Sequence, residues 1–465
     1  MESPMIPTPV EAIPGLVADL RESFSAGRSR PMAWRMRQLE RFKAMIVERE
    51  GDFHAALAAD LGKSSAEATL TETAFVAGEI DFTLKHLSGW AKSERVNAPL
   101  VQQPCKARIE SEPLGVVLII GAWNYPFQLT LAPLIGALAA GNCALVKPSE
   151  VSPATSAAIA RWLPEYLDPA CVKVVQGGVP ETTAALSERF DHIFYTGGGA
   201  VGRIVMRAAA EHLTPVTLEL GGKSPCVVDK ALDLEVAARR IVWGKYTNCG
   251  QTCIAPDYVL AHAEIHDALV ERLAAVVREF YGEDPKACTD YGRIVNERHV
   301  RRLSALMGSG EVACGGQIDE AARYIAPTIL TGVALDSPVM ADEIFGPILP
   351  VIKIGRLGEA VEIINARPKP LALYVFSSDK AAWTEIVERT SSGGVCVNDT
   401  LMHIAVPELP FGGVGASGMG AYHGRASFDT FSHRRGVLLR STRVDPPLRY
   451  PPLTENKIKW ARRFL

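Results

Sequence analysis

The sequence predicts an α/β protein of two successive units, each a largely parallel sheet covered by helices, with a small exposed antiparallel sheet outside both. Short apolar runs bounded by Gly and Pro, at residues 115–121, 143–146, 172–175, 192–195 and 216–220, alternate with helical stretches, which is the pattern of βαβ units. After Gly222 the alternation restarts, with a helix at 232–246, a strand at 258–261 and a helix at 264–281. Residues 105–113 and 434–440 instead alternate polar and apolar side chains outside either series, as a half-exposed antiparallel sheet does.

Along the chain, the first ten residues hold an acidic residue, two prolines in the first seven positions and no basic segment followed by an apolar run, so no signal peptide is expected. Between 30 and 61 the apolar residues Met32, Met36, Leu39, Phe42, Ile46, Phe53 and Leu57 recur every three to four positions among charges, which predicts one long amphipathic helix. A second such helix is predicted over 66–90. The most apolar stretch, 129–146, is interrupted by Pro133, Gly136, Gly141 and Asn142 and reads as a buried helix followed by a strand, not a membrane span. The tail 454–465 carries Lys457, Lys459, Arg462 and Arg463 and reads as a solvated segment.

Composition narrows the function class. With 465 residues, 48% hydrophobic and 22% charged, the chain can bury an ample core. A net charge of −3 leaves no field to hold a polyanion, so no nucleic-acid partner is expected. The 9 scattered cysteines read as reduced thiols, hence a cytoplasmic protein.

Three segments in order carry chemistry. The strand ending in Tyr195-Thr196 runs into Gly197-Gly198-Gly199-Ala200-Val201-Gly202 and then a helix, a turn that lets backbone approach a pyrophosphate and aims helix N–H groups at it. Literally, Gly197, Gly199 and Gly202 spell a dinucleotide fingerprint, with Glu219 placed 17 residues later to bind a ribose. Glu219 itself lies in an apolar strand before Gly221-Gly222, and burial of that kind raises a carboxylate toward general-base use. Then Asn248-Cys249-Gly250-Gln251-Thr252-Cys253 puts two thiols around a glycine turn, where local dipoles can activate one as nucleophile. Singly, each has a structural reading: a tight turn, a carboxylate paired with a backbone amide or Lys223, an inert thiol. Their joint order favours catalysis. No metal is expected, because no second Cys or His pair stands at ligand spacing.

At these residues the sequence resembles the aldehyde dehydrogenase superfamily, within it the class 3 branch of fatty and aromatic aldehyde dehydrogenases. Glu219-Leu220-Gly221-Gly222-Lys223-Ser224-Pro225 is similar to its glutamate motif and Asn248 to Cys253 to its cysteine motif, 34 residues apart. Trp123-Asn124-Tyr125-Pro126-Phe127, Glu343-Ile344-Phe345-Gly346-Pro347 and Leu409-Pro410-Phe411-Gly412-Gly413 add to the resemblance. It implies an aldehyde dehydrogenase-like fold: a Rossmann-like cofactor-binding domain (1–99 and 114–217), an α/β catalytic domain (218–404), a small β bridging or oligomerisation element (100–113 and 425–445) and a tail (446–465).

The resemblance further implies NAD(P)+-dependent oxidation of an aldehyde to an acid, with Cys253 as nucleophile, Glu219 as the base that activates water, and Asn124 with the Cys253 N–H as oxyanion donors. Glu219 then faces the thiol, which corrects the literal ribose reading. Lys147 and Glu150 would contact the adenosine ribose, Gly197, Gly198, Gly199 and Gly202 the pyrophosphate, and Glu343 and Phe345 the nicotinamide ribose and ring. NAD and NADP both remain open, since Glu150 opposes a 2′-phosphate while class 3 members often accept either. The family commonly carries Ser-Thr where this chain has Gly198-Gly199, so a hydroxyl contact to phosphate is missing. Tyr125, Trp243 and Tyr246 suggest an apolar funnel for medium-chain aliphatic or aromatic aldehydes. His423 is given no catalytic role. The implied assembly is a homodimer. Two alternatives are an acylating enzyme that passes the acyl group to coenzyme A, and a homologue that binds nucleotide or aldehyde without turnover.

Overall fold

The computed structural model describes residues 5–99 and 102–464. The expected boundary between the first unit and the bridging segment falls at residues 100 and 101, outside the described residues, as do residues 1–4 and 465 of the terminal segments.

The first sheet has six strands in the spatial order Gly418–Met419, Val216–Glu219, His192–Thr196, Val116–Ile120, Cys143–Lys147 and Val172–Val174. All neighbours are parallel except Gly418–Met419, which runs antiparallel to Val216–Glu219. Chain order therefore reverses between Val116–Ile120 and His192–Thr196, and the crevice at the carboxyl ends of such a pair is where α/β sheets bind ligands. The two loops leaving those ends carry Asn124 and the glycine turn. Beneath the sheet lies the helix Gln128–Ala140, buried at every position, and Gly141 (φ +92°) ends it. The Asn142 amide then ties down the chain, with Oδ1 accepting from the Gly115 N–H (2.8 Å) and Nδ2 donating to the Phe431 carbonyl (2.9 Å).

The second sheet has seven strands, Glu311–Cys314, Thr328–Thr331, Ile348–Ile354, Tyr258–His262, Pro225–Val228, Ala372–Phe376 and Gly394–Val397, parallel but for the first pair. A third, three-stranded sheet pairs Cys105–Pro113 with Ser432–Arg440 along its whole length and adds Glu94–Val96. Among the described residues no helix is long and apolar enough to cross a membrane.

The amino-terminal helices depart from the expected pattern. In place of one helix over 30–61 there are two, Met32–Glu48 and Glu50–Leu61. The break is at Arg49 (φ −115°, ψ 15°), whose guanidinium lies 4.0 Å from the Trp162 ring and donates to the Tyr166 hydroxyl (3.1 Å). Glu50 and Asp52 then supply the acidic first turn of the second helix. The segment Ser65–Ala68, capped by Ser64, passes through a π-helical turn at Thr69–Thr73 before Ala74–Trp90. That turn brings the Glu72 carboxylate inward to Lys63 (2.5 Å), both side chains fully buried, and to the N–H groups of Phe127 and Gln128 (3.1 and 2.8 Å). The start of the central buried helix is thereby anchored, together with the loop that carries Asn124.

Candidate active site

Cys253 follows the helix Leu234–Tyr246 through a turn in which Asn248 and Cys249 both adopt left-handed backbone (φ 52°). Each such residue costs about 1–2 kcal/mol, so the turn must be held from outside. Asn248 does much of this: its N–H donates to Glu67 (2.7 Å), and its amide nitrogen donates to the carbonyls of Asn124 (2.7 Å) and Gln251 (3.1 Å). Asn124 Nδ2 donates to the Gln251 carbonyl (3.0 Å), Lys63 Nζ donates to the Asn124 carbonyl (3.3 Å), and the Tyr125 hydroxyl pairs with Thr252 Oγ1 (2.7 Å). A loop from the first sheet and the cysteine turn before the second thus form one hydrogen-bonded unit.

Two cavities meet at this turn. The larger, of about 720 Å³, is lined by Asn124, Gly197 to Ala200, Glu219, Cys253, Glu343 and Phe345. The smaller, of about 320 Å³, is lined by Tyr125, Trp243, Cys253 and other side chains that include no Asp, Glu, Lys, Arg or His. Cys253 faces both.

Burial, then the charges of Glu343 and Glu219, push the Cys253 thiol well up, while the N–H groups of Cys253 and Ile254 pull the other way. Glu219 is 3% exposed with neither carboxylate oxygen hydrogen-bonded among the described residues, and burial holds its carboxyl well above the ordinary value. Glu343 is pushed up to about 8, by burial first and Asp257 second, against the Gly222 N–H, Lys223 and Lys245. Its carboxylate sits where a side chain at Gly221 would be, since a Cβ there would lie 2.0 Å from Oε2. Phe345 beside it has φ 49°, a strained conformation of the kind found at ligand clamps, and its ring packs edge-on to Trp123 at 5.2 Å.

The glycine turn has the form of an anion cradle. Gly197 (φ +157°) admits no side chain, because a Cβ would lie 2.3 Å from the Tyr195 hydroxyl oxygen. Gly198 caps the helix Gly199–Ala210 with no side-chain bond, and a Cβ on it meets nothing within 4 Å. N–H groups at a helix start, lining a cavity that also holds Glu343, whose Oε1 has no partner among the described residues, fit a dinucleotide.

Other expected residues lie apart from these cavities. Lys147 and Glu150 form an ion pair at 2.6 Å at the carboxyl end of their strand, beyond the lining of the large cavity, and Gly202 packs inside its helix toward Leu220. Tyr246, expected in the substrate funnel, is instead 1% exposed in the core and donates its hydroxyl to the Thr328 carbonyl (3.0 Å). It is one turn beyond Trp243, where the helix end points into the second unit. The second thiol, Cys249, is 1% exposed and lines neither cavity.

The structure also brings in residues that no motif singled out: His299 and Arg302 on the large cavity, Phe75, Met402 and Tyr422 on the small one. Lys245 lies behind the site, wholly buried with no hydrogen bond to Nζ among the described residues, and burial lowers it to about 8. Local sequence gives no signal for these, because distant segments place them.

A doubly wound sheet with a nucleotide-sized cavity at its switch point, opening on a half-buried thiol and a buried carboxyl, defines a nicotinamide-dependent dehydrogenase. The chain belongs to the aldehyde dehydrogenase family, whose model matches residues 10–437. It is 55% identical over 451 residues to aldehyde dehydrogenase family 3 member A2 of Mus musculus, covering 97% of this chain and 93% of the relative. Identity is 54% over 442 residues to the dimeric NADP-preferring aldehyde dehydrogenase of the same species, with 95% and 98% covered. Among solved structures, the substrate-bound state of Staphylococcus aureus AldH superposes with a TM-score of 0.95 at 45% identity, covering 97% of this chain and 99% of that one. These matches place the chain in the class 3 branch, as an enzyme that oxidises aldehydes with NAD or NADP.

Proposed function

We propose that this enzyme converts medium-chain aliphatic or aromatic aldehydes to carboxylic acids through a thiohemiacetal and a thioester on Cys253. The observation that carries this reading is that Cys253 alone of the two motif thiols faces both cavities. The uncharged lining of the small cavity suits an apolar aldehyde and offers no partner to a carboxylate on the substrate.

In this mechanism Cys253 passes its thiol proton to Glu219, which releases it to solvent, the sulfur attacks the aldehyde carbon, and the Asn124 amide with the Cys253 N–H holds the resulting alkoxide. Asn124 spends one amide hydrogen on Gln251, which fixes the group and leaves the second for the oxyanion. A nicotinamide dinucleotide bound in the large cavity supplies the hydride acceptor. Residues Gly197 to Gly199 would hold its phosphates, Glu343 and Phe345 its nicotinamide end, and Lys147 with Glu150 its adenosine ribose. With the acyl group on Cys253, Glu219, whose burial holds its carboxyl above the ordinary value, takes a proton from water. The exposed ribbon Ser432–Arg440 is proposed to join two subunits, in keeping with the mouse relative's name as a dimeric enzyme.

The test is reduced-nicotinamide absorbance with NAD+ or NADP+ across aliphatic, aromatic and carboxylate-bearing aldehydes, with the acid product assayed. Turnover of the uncharged aldehydes to acid supports the reading. Turnover that requires coenzyme A marks the acylating alternative, and cofactor binding without turnover marks the binding-protein alternative.

A further inference from the structure

Tyr422 is 0% exposed, lines the small cavity with Cys253, and its hydroxyl has no hydrogen-bond partner among the described residues. Burying a phenol hydroxyl without a hydrogen bond is unfavourable, so its place on the cavity wall asks for a ligand that arrives later. The ring is held on several sides. Its backbone pairs with Phe411 in both directions (2.8 and 3.0 Å), Phe194 packs edge-on at 5.1 Å, and the His423 ring stacks at 3.9 Å. His423 is clamped in turn, its Nδ1 paired with Glu79 (2.5 Å), which also accepts from the Gly424 N–H (3.1 Å).

The segment that carries Tyr422 returns to the first sheet beside the catalytic strand, with Gly418 opposite Glu219 and the Leu220 N–H donating to the Ser417 carbonyl (3.1 Å). Tyr422 thus follows three residues after the strand Gly418–Met419 that pairs with Glu219, Glu219 lines the large cavity and Tyr422 the small one where both reach Cys253, and among the described residues each carries polar oxygens without partners.

From this we infer that Tyr422 positions the hydrolytic water: the water donates one hydrogen to Glu219 and the other to the Tyr422 oxygen, which leaves its lone pair facing the acyl carbon on Cys253. The inference rests on the proposed thioester reading. In the step itself the water oxygen bonds to the acyl carbon as its proton passes to Glu219. Collapse then breaks the C–S bond, and the electron pair leaves with Sγ, which recovers the proton from Glu219. Tyr422 is unchanged throughout.

The test acylates the full-length enzyme with p-nitrophenyl acetate, which loses p-nitrophenolate to the thiol, and follows the acetyl-enzyme by quenched mass spectrometry. Tyr422→Phe removes an oxygen that has no partner among the described residues, so its melting should equal or exceed that of wild type. The expected result is a roughly three- to tenfold slower decay in water, the range for one neutral hydrogen bond, with acylation less affected. Added hydroxylamine, a nucleophile strong enough to act without placement, should give a correspondingly larger hydroxamate share. A merely structural defect slows both acceptors alike and leaves the partition unchanged. Incorporation of 3-fluorotyrosine at position 422, which weakens the acceptor and keeps the ring, should move the partition in the same direction by less. Unchanged decay or unchanged partition overturns the inference while the acetyl-enzyme on Cys253 stands. Absence of any adduct on Cys253 overturns the thioester reading and this inference with it.

Discussion

The glycine turn offers a sharp prediction because two adjacent glycines have opposite reasons to be there. Gly198 has φ −75° and ψ 147°, which any residue adopts, and a Cβ on it meets nothing within 4 Å. Gly198→Ser therefore places a hydroxyl in the large cavity at the start of Gly199–Ala210 without a clash. As a helix cap it gains only a few tenths of a kcal/mol over glycine. As a donor to a bound phosphate it should add about 1 kcal/mol net, roughly a fivefold lower Kd. Gly197→Ala is the contrast: φ +157° with a Cβ 2.3 Å from the Tyr195 hydroxyl, which itself donates to the Gly198 carbonyl (3.2 Å). That crowding should cost about 1–3 kcal/mol and distort the turn. Titration calorimetry with NAD+ and NADP+ on the three proteins decides. Tighter binding by Gly198→Ser and weaker binding by Gly197→Ala are expected; binding that is indifferent to both changes refutes the turn as the phosphate cradle.

Glu219→Gln should keep a first-turnover burst of reduced nicotinamide and lose steady-state turnover by at least about a hundredfold, as removal of a positioned general base does, read by stopped-flow absorbance. Cys249→Ala should keep the steady-state rate and lower stability by about 1 kcal/mol in urea titration, since that thiol is buried in the core beside Tyr291, away from both cavities. Glu343 stays protonated in the fold up to about 8 while the unfolded carboxyl ionises near its ordinary value. The native state therefore holds the extra proton, so wild type loses stability relative to Glu343→Gln as pH rises through that window and no further above it, measured by the same titration at pH 6, 8 and 9.

What the sequence made legible was local. Glycines and prolines mark the ends of the first sheet's strands, and the run 129–146 resolves into a buried helix and strand because Gly141 breaks it where a left-handed residue is needed. The break at Arg49 was hidden, since apolar spacing continues across it and the cause is a cation stacked on Trp162 from another helix. Glu72, Lys245 and Tyr422 were hidden for the same reason: their significance arises from segments far apart in the chain. Tyr246 misled because nearness to the cysteine motif says nothing of which way a helix end turns, and here it turns into the core. Asn124, Glu219, Cys253, Glu343 and Phe345, drawn from separate motifs, line one cavity.

The central claim is that substrate carbon becomes bonded to Cys253 Sγ. Glu219→Gln enzyme, mixed with an aromatic aldehyde and NAD+, quenched in acid and digested, would have its thiol peptides read by mass spectrometry. The account predicts an acyl adduct on the peptide at Cys253, formed in step with reduced nicotinamide and absent when either substrate is omitted. An adduct on Cys249, or reduced nicotinamide accumulating with no acyl group on any thiol, contradicts it.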